Sequence, residues 1–73
     1  MVIEIGAIYK HYKGTKYRVV GIGKHTETGE DLVVYSPIDN LDKFWIRPLS
    51  MWNDIVDKDK NIKRFERENY EQI

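Results

Sequence analysis

Residues 17–24, YRVVGIGK, decide the fold, because they form the longest run in the chain with the composition of a β-strand. Tyr, Val and Ile favour a pleated, half-buried strand. Strict alternation along this run predicts one face with Tyr17, Val19, Gly21 and Gly23, and a second face with Arg18, Val20, Ile22 and Lys24. Two glycines spaced by two leave part of one face without side chains, as in a strand that coils sharply around a small core.

Short segments of similar composition flank this strand on both sides and are separated from it by turns. Residues 8–12 precede it, and Gly14 supplies the turn between the two. Residues 31–36 follow it after a polar connection with Gly29 as the turn residue. The pattern predicts three successive antiparallel strands in the first half of the chain.

The second half predicts two more strands and one helical turn. A fourth strand covers residues 44–47, where Pro48 removes the donor that would continue its ladder. Ser50 is then expected to cap a single helical turn over residues 50–54. A last hairpin is predicted within residues 55–65.

This pattern predicts a mostly β fold, a small SH3-like barrel of about five strands with one short helical turn near residues 50–54. The barrel domain is expected to cover residues 1–66, and residues 67–73 form a charged C-terminal tail. An open α+β arrangement, with the tail packed as a helix on a sheet, is the alternative.

Length and composition limit the protein to one small domain. Its 73 residues carry twelve basic and twelve acidic side chains, so the formal net charge is zero. Cysteine is absent from the sequence, which excludes disulfides and thiolate zinc sites. Since the sequence contains neither a membrane-length apolar run nor a signal-peptide pattern, we expect a cytoplasmic protein with no membrane partner.

Six short motifs stand in a fixed order over residues 6–66: HYKG (11–14), YRV (17–19), HTET (25–28), VVY (33–35), WIRPLSM (45–51) and RF (64–65). Their combination resembles the family of short bacterial proteins named domain of unknown function 1653. The resemblance implies an SH3-type barrel in the bacterial cytoplasm. It implies no activity.

The WIRP motif is the strongest candidate for a binding surface. Trp45 and Arg47 lie two apart and so share one face of the predicted strand, which is exposed if Phe44 and Ile46 point into the core. Trp and Arg are enriched at binding hot spots. In the alternative interpretation, Trp45 closes one end of the barrel and Arg47 pairs with an acidic neighbour. Trp52 and Met51 are predicted to plug an open end of the barrel.

These residues predict a small interaction module that is not an enzyme and holds no cofactor. An aromatic groove containing Tyr12, Tyr35, Trp45 and Arg47 would receive an extended peptide or a protein loop. The partner is then an unidentified protein or peptide. Self-association through an open barrel edge, which would give a homodimer, is a further alternative.

The first hairpin offers a second functional hypothesis, single-stranded nucleic-acid binding. Its basic residues are interleaved with tyrosines, a combination that pairs phosphates and stacks bases. Against this hypothesis, the pI of about 6.7 is low for a dedicated nucleic-acid domain. The candidate residues are Lys10, Lys13, Lys16 and Arg18.

A metal site is the weakest hypothesis, and it rests on His11, His25 and Glu27. Two histidines and one carboxylate can form an open site for a hydrolytic metal. The alternative is that His25 and Glu27 form a loop hydrogen bond that orders the turn, while His11 packs on an aromatic ring. We predict no bound metal.

Overall fold

The computed structural model describes residues 3–68 and shows a mostly β protein. The strands are β1 (Ile8–His11), β2 (Lys16–Lys24), β3 (Asp31–Pro37), β4 (Trp45–Pro48), β5 (Ile55–Asp57), β6 (Ile62–Lys63) and β7 (Phe65–Arg67). A 3₁₀ turn, Leu49–Met51, separates β4 from β5. The predicted strands are thus confirmed, with the last hairpin divided among β5, β6 and β7.

Five strands form one antiparallel sheet in the order β4-β3-β2-β1-β7, and β5 pairs with β6 in a separate ribbon. The last strand therefore returns to pair with the first. Across residues 3–68 no ladder joins β4 to β7, so each of these strands has one free edge. The mostly β class is confirmed, but closure into an SH3-like barrel is not.

The sheet is strongly curled, so that its two edge strands approach each other through their side chains. The Cζ atom of Arg47 on β4 lies 5.7 Å from the centroid of the Phe65 ring on β7. In a flat sheet, four strand spacings of roughly 4.8 Å would separate these two strands by about 19 Å. The curl therefore brings together residues that the strand order places at opposite ends of the sheet.

A β-bulge in β2 contributes to this curvature. Consecutive residues of β3 lie opposite Val19 and Gly21, which leaves Val20 as an extra residue in the ladder. A bulge bends its strand and increases the local twist. It also reverses the alternation, so Ile22 returns to the face of Val19 and Gly21 turns to the other face. The predicted face assignment for residues 17–24 is therefore wrong beyond Val19.

The concave face of the sheet holds a core of aromatic rings centred on Trp52. This side chain follows the 3₁₀ turn, is fully buried, and stacks on Phe65 with a centroid distance of 3.9 Å and an interplanar angle of 5°. Tyr9 and Tyr35 contact the indole edge-on at 5.5 and 5.0 Å. The predicted burial is thus confirmed for Trp52, at the centre of the core of an open sheet, whereas Met51 is exposed.

The structure contradicts the predicted cap at Ser50 and the condition under which Trp45 and Arg47 would face away from the core. Ser50 forms no capping hydrogen bond, because the turn begins directly after Pro48 and Ser50 lies inside it. Phe44 and Ile46 are not in the core, with 57% and 63% of their surfaces exposed. The ladder places Trp45 opposite the buried Tyr35, so Trp45 takes the core side and its two neighbours face outward.

The sheet extends beyond the predicted domain boundary at residue 66. Arg67 pairs with Tyr9, and the backbone N–H of Glu68 donates to the carbonyl oxygen of Ile8 at 2.8 Å. The rest of the predicted tail, residues 69–73, lies outside the described residues. Within residues 3–68, no helix is long and apolar enough to cross a membrane.

The Trp52 stack predicts a large stability effect. Trp52→Ala should lower the free energy of unfolding by about 3–5 kcal/mol, because it leaves a cavity against Phe65. Trp52→Phe keeps a ring in place and removes an indole N–H that has no acceptor among the described residues, so we expect a loss of only about 1–2 kcal/mol. Urea unfolding followed by circular dichroism measures both values. Trp45→Ala is the exposed control, and equal losses for Trp45→Ala and Trp52→Ala would contradict the prediction.

Candidate functional site

The candidate site begins where the two edge strands meet at Phe65. One face of this ring is covered by Trp52, and the Arg47 guanidinium lies against it at 5.7 Å, a cation–π distance. The Nε–H of Arg47 also points to the hydroxyl oxygen of Tyr35 at 3.4 Å, a long hydrogen bond. Arg47 is thereby held at the rim of the core by two aromatic side chains.

On the β1 side, His11 and Tyr12 continue the same surface. The His11 ring lies edge-on to Phe65 with centroids 5.0 Å apart, and Tyr12 lies 4.6 Å from His11. On the β4 side, Trp45 shares the face of Arg47, two residues away. We call this row of five side chains the aromatic strip: Tyr12, His11, Phe65, Arg47 and Trp45.

Both ends of the aromatic strip are open to solvent and carry a lysine. Tyr12 is 44% exposed and Trp45 is 47% exposed. The ammonium groups of Lys13 and Lys43 lie 5.9 and 5.2 Å from the centroids of these two rings. Each exposed aromatic ring of the strip therefore lies beside a lysine ammonium group of the same chain.

The charge on the strip is positive and largely uncompensated. Arg64, which is next to Phe65, pairs with Asp54 at 3.7 Å. In the part of the chain that the structure describes, Arg47, Lys13 and Lys43 form no ion pair with a carboxylate. A surface with free cations beside exposed rings is complementary to an anionic partner.

Burial and the nearby positive charges both lower the pKa of His11. Partial burial lowers its pKa from the usual 6.5, and the charges of Arg47, Arg64 and Lys13 lower it further. Its Nδ1 accepts the backbone N–H of Lys13 at 3.1 Å, so in the neutral ring the proton is on Nε2. At neutral pH His11 is therefore an uncharged aromatic member of the strip.

A shallow cavity of about 230 Å³ lies beside the strip and shares His11 and Tyr12 with it. Its volume is below the ~300 Å³ at which sites for small organic ligands begin. The remaining lining residues are Lys10, Ile62, Lys63 and Glu66. The site as a whole is therefore a surface groove rather than a deep pocket.

Of the four predicted groove residues, three belong to the aromatic strip and the fourth, Tyr35, lies beneath it. Arg47 and Trp45 lie side by side on β4, and Tyr12 reaches them through His11 and Phe65. Tyr35 is buried, and it supports Arg47 through its hydroxyl group instead of lining the surface. In the alternative interpretation Arg47 would pair with an acidic neighbour, but its contacts here are to Phe65 and Tyr35.

The basic residues of the first hairpin do not form one surface with its tyrosines. Lys10 and Lys16 are cross-strand partners, and Arg18 shares their face and donates to the carbonyl oxygen of Gly6 at 2.8 Å. Tyr9 lies on the opposite face and is buried in the core. Of the predicted nucleic-acid residues, Lys13 lies beside the exposed Tyr12 ring, and Lys10 lines the adjoining cavity with Tyr12.

The three metal-site candidates do not meet. His11 and His25 lie beyond opposite ends of the nine-residue strand β2, which spans roughly 26 Å at ~3.3 Å per residue. No group of three metal-ligating side chains occurs among residues 3–68. Instead, His25 Nδ1 accepts the backbone N–H of Glu27 at 3.1 Å and orders the turn. The metal hypothesis is therefore wrong, and the loop hydrogen bond is confirmed.

Sequence reasoning missed several members of the site. It places Phe65 only in a strand. For His11 it predicts packing on an aromatic ring, which the contacts with Tyr12 and Phe65 confirm, but it does not place His11 in the binding surface. It gives Lys43 no functional role. Phe65 is far from Arg47 in the sequence and lies on the opposite edge strand, so no short-range pattern could link them. Only the curl of the sheet creates that contact.

The comparisons with known proteins identify a family. The family model described as protein of unknown function (DUF1653) matches residues 7–67, so the chain belongs to that family. The match covers every strand of the sheet and every residue of the aromatic strip. No curated protein and no solved structure matches the chain.

The lowered pKa of His11 predicts a pH-dependent stability. The unfolded chain takes up this proton near pH 6.5, whereas the folded chain takes it up only at lower pH. The neutral His11 ring should therefore make its full contribution to the free energy of unfolding above pH 6.5. This contribution should be lost as the pH falls from 6.5 through the lower pKa of the folded chain. Urea unfolding of the wild type and of His11→Gln at neutral and mildly acidic pH isolates the difference. An NMR titration midpoint for the His11 ring at or above 6.5 would contradict the assignment.

Proposed function

We propose that this protein is a non-catalytic interaction module that binds an extended peptide or a protein loop on the aromatic strip. The proposal rests on one observation. At each end of the aromatic strip an exposed ring lies beside a lysine, while the middle of the strip packs on the core. Tyr, Trp and Arg are the residues enriched at binding hot spots. The contacts of Arg47 with Phe65 and Tyr35 restrict this side chain before binding, which lowers the entropy that binding would cost.

The shape of the site favours an extended polypeptide over a small molecule. The aromatic strip crosses the region where the edge strands β4 and β7 lie closest to each other. The adjoining cavity is shallow. Such a surface can contact several residues of a chain in succession but cannot enclose a compact ligand. Aromatic-lined grooves of SH3-type folds bind peptides in a comparable way, which is an analogy at the level of the fold.

The strand order and the curl support an SH3-like arrangement for the domain, with β4 and β7 as the open seam. The family resemblance supports a protein of the bacterial cytoplasm. In that setting the partner would be a cytoplasmic protein segment.

Single-stranded nucleic acid is the competing ligand, and one observation favours it. Lys13 beside Tyr12 and Lys43 beside Trp45 are pairs that could hold a phosphate next to a stacked base. Such binding would weaken steeply with salt, because it releases counterions from the backbone. The two ligands are therefore separable by experiment.

The test is an NMR titration of the protein with a pool of random decapeptides and, separately, with mixed single-stranded oligonucleotides at low and moderate salt. We expect the peptide pool to shift the Trp45 indole and the Arg47 Nε–H signals. The buried Trp52 indole is the internal reference. Trp45→Ala combined with Arg47→Ala should abolish the shifts while the fold is retained.

Two results would contradict the proposal. One is peptide binding that is unchanged in the folded double variant. The other is salt-sensitive binding of oligonucleotides without any response to peptides. Charge reversal at Lys13 distinguishes the second case, because it would weaken nucleic-acid binding selectively.

A further inference from the structure

Among the described residues, strand β4 pairs with a neighbouring strand along one edge only. Its inner edge pairs with β3 from Tyr35↔Trp45 to Leu32↔Pro48. Within residues 3–68, its outer edge forms no backbone ladder with another strand. An unpaired strand edge is a template for a further strand.

The side chains on this edge strand divide into two kinds. Trp45 and Arg47 share one face of β4, and Lys43, two residues before Trp45 and outside the strand, places its ammonium over the Trp45 ring. Ile46 lies on the opposite face, Phe44 directly precedes the strand, and both side chains are exposed. β4 therefore presents Trp45 and Arg47 beside Lys43 on one face and Ile46 beside Phe44 on the other.

The charge of this edge indicates what can pair with it. A second copy of the same strand would bring Lys43 and Arg47 of both copies close together, with no carboxylate between them. Like charges at facing strand positions are destabilising. An acidic strand would instead supply carboxylates to Lys43 and Arg47, which have no acidic partner in residues 3–68.

We propose that the ligand is an acidic peptide segment that adds as a sixth strand to the outer edge of β4. This inference rests on the proposed function and specifies its ligand and its binding mode. Two acidic side chains four positions apart on the peptide face Lys43 and Arg47, and Arg47 can hold a carboxylate with two parallel hydrogen bonds. Apolar side chains at the alternate positions pack against Phe44 and Ile46. Backbone hydrogen bonds provide affinity, and the alternation provides specificity.

The test uses a capped peptide of sequence GEVFVEG as the probe and three relatives of it. One relative replaces both glutamates with lysine. The other two carry backbone N-methyl groups, either on both valines or on the glutamates and the phenylalanine. A strand donates backbone hydrogen bonds to one neighbouring strand from alternate residues only. One of the two methylated peptides therefore loses the N–H groups that would face β4, and the other keeps them.

We expect GEVFVEG to shift the backbone amides of residues 44–47 and to protect them from hydrogen exchange. One of the two N-methylated peptides should bind at least about ten-fold more weakly than GEVFVEG, since its ladder donors are removed, and the other should bind about as well as GEVFVEG. The lysine peptide should not bind. Arg47→Ala should weaken binding of GEVFVEG about ten-fold, and Lys58→Ala, an exposed charge-matched control, should leave it unchanged.

Each contrary result has a distinct meaning. In the first, both N-methylated peptides bind equally well, with shifts confined to the side chains of the strip. This result would overturn strand addition and leave the proposed function standing. Concentration-dependent shifts of residues 44–47 without peptide would assign the edge to a second copy of this chain. If neither GEVFVEG nor the random peptide pool perturbs the strip, both the inference and the proposed function are wrong.

Discussion

The stacking of Trp52 on Phe65 is the interaction on which the rest of the structure depends. A sheet of five short strands has too little surface to form a core while it is flat, and a chain of this length buries only about 60% of its unfolded surface. One indole from outside the sheet, in contact with rings on β1, β3 and β7, gives the curled sheet something to close around. The bulge at Val20 lets β2 follow that curvature.

The candidate site is a consequence of this curl. Phe65 presents its edges and its second face to His11 and Arg47 only because the opposite edge strand has been brought within a few ångströms. The Phe65 ring thus packs on the core residue Trp52 and also contacts His11 and Arg47 of the aromatic strip. A loss of core packing at Trp52 would also remove the support that Phe65 gives to Arg47, so changes in the core are expected to disturb the aromatic strip.

Local sequence patterns were sufficient for the strands, and tertiary geometry limited the prediction of their faces. Period-two runs, Gly14, Gly29 and Pro48 located the main strands and their ends, and a resemblance in short motifs identified the family. The bulge at Val20 inverted the predicted alternation, because one inserted residue exchanges the two faces of a strand. Trp45 and Arg47 were recognised by their residue types, whereas their contacts with Phe65 depend on two edge strands that no local pattern brings together.

The most direct test of this account is a set of cross-peaks in a nuclear Overhauser spectrum of the wild-type protein. The account predicts cross-peaks from the Arg47 side chain to the Phe65 ring, together with cross-peaks from the Trp52 indole to the same ring. Both sets together would show that β4 and β7 approach each other around a shared aromatic centre. Cross-peaks between Trp52 and Phe65 without any from Arg47 to Phe65 would contradict the account. The core would then be present, but β4 and β7 would not approach each other.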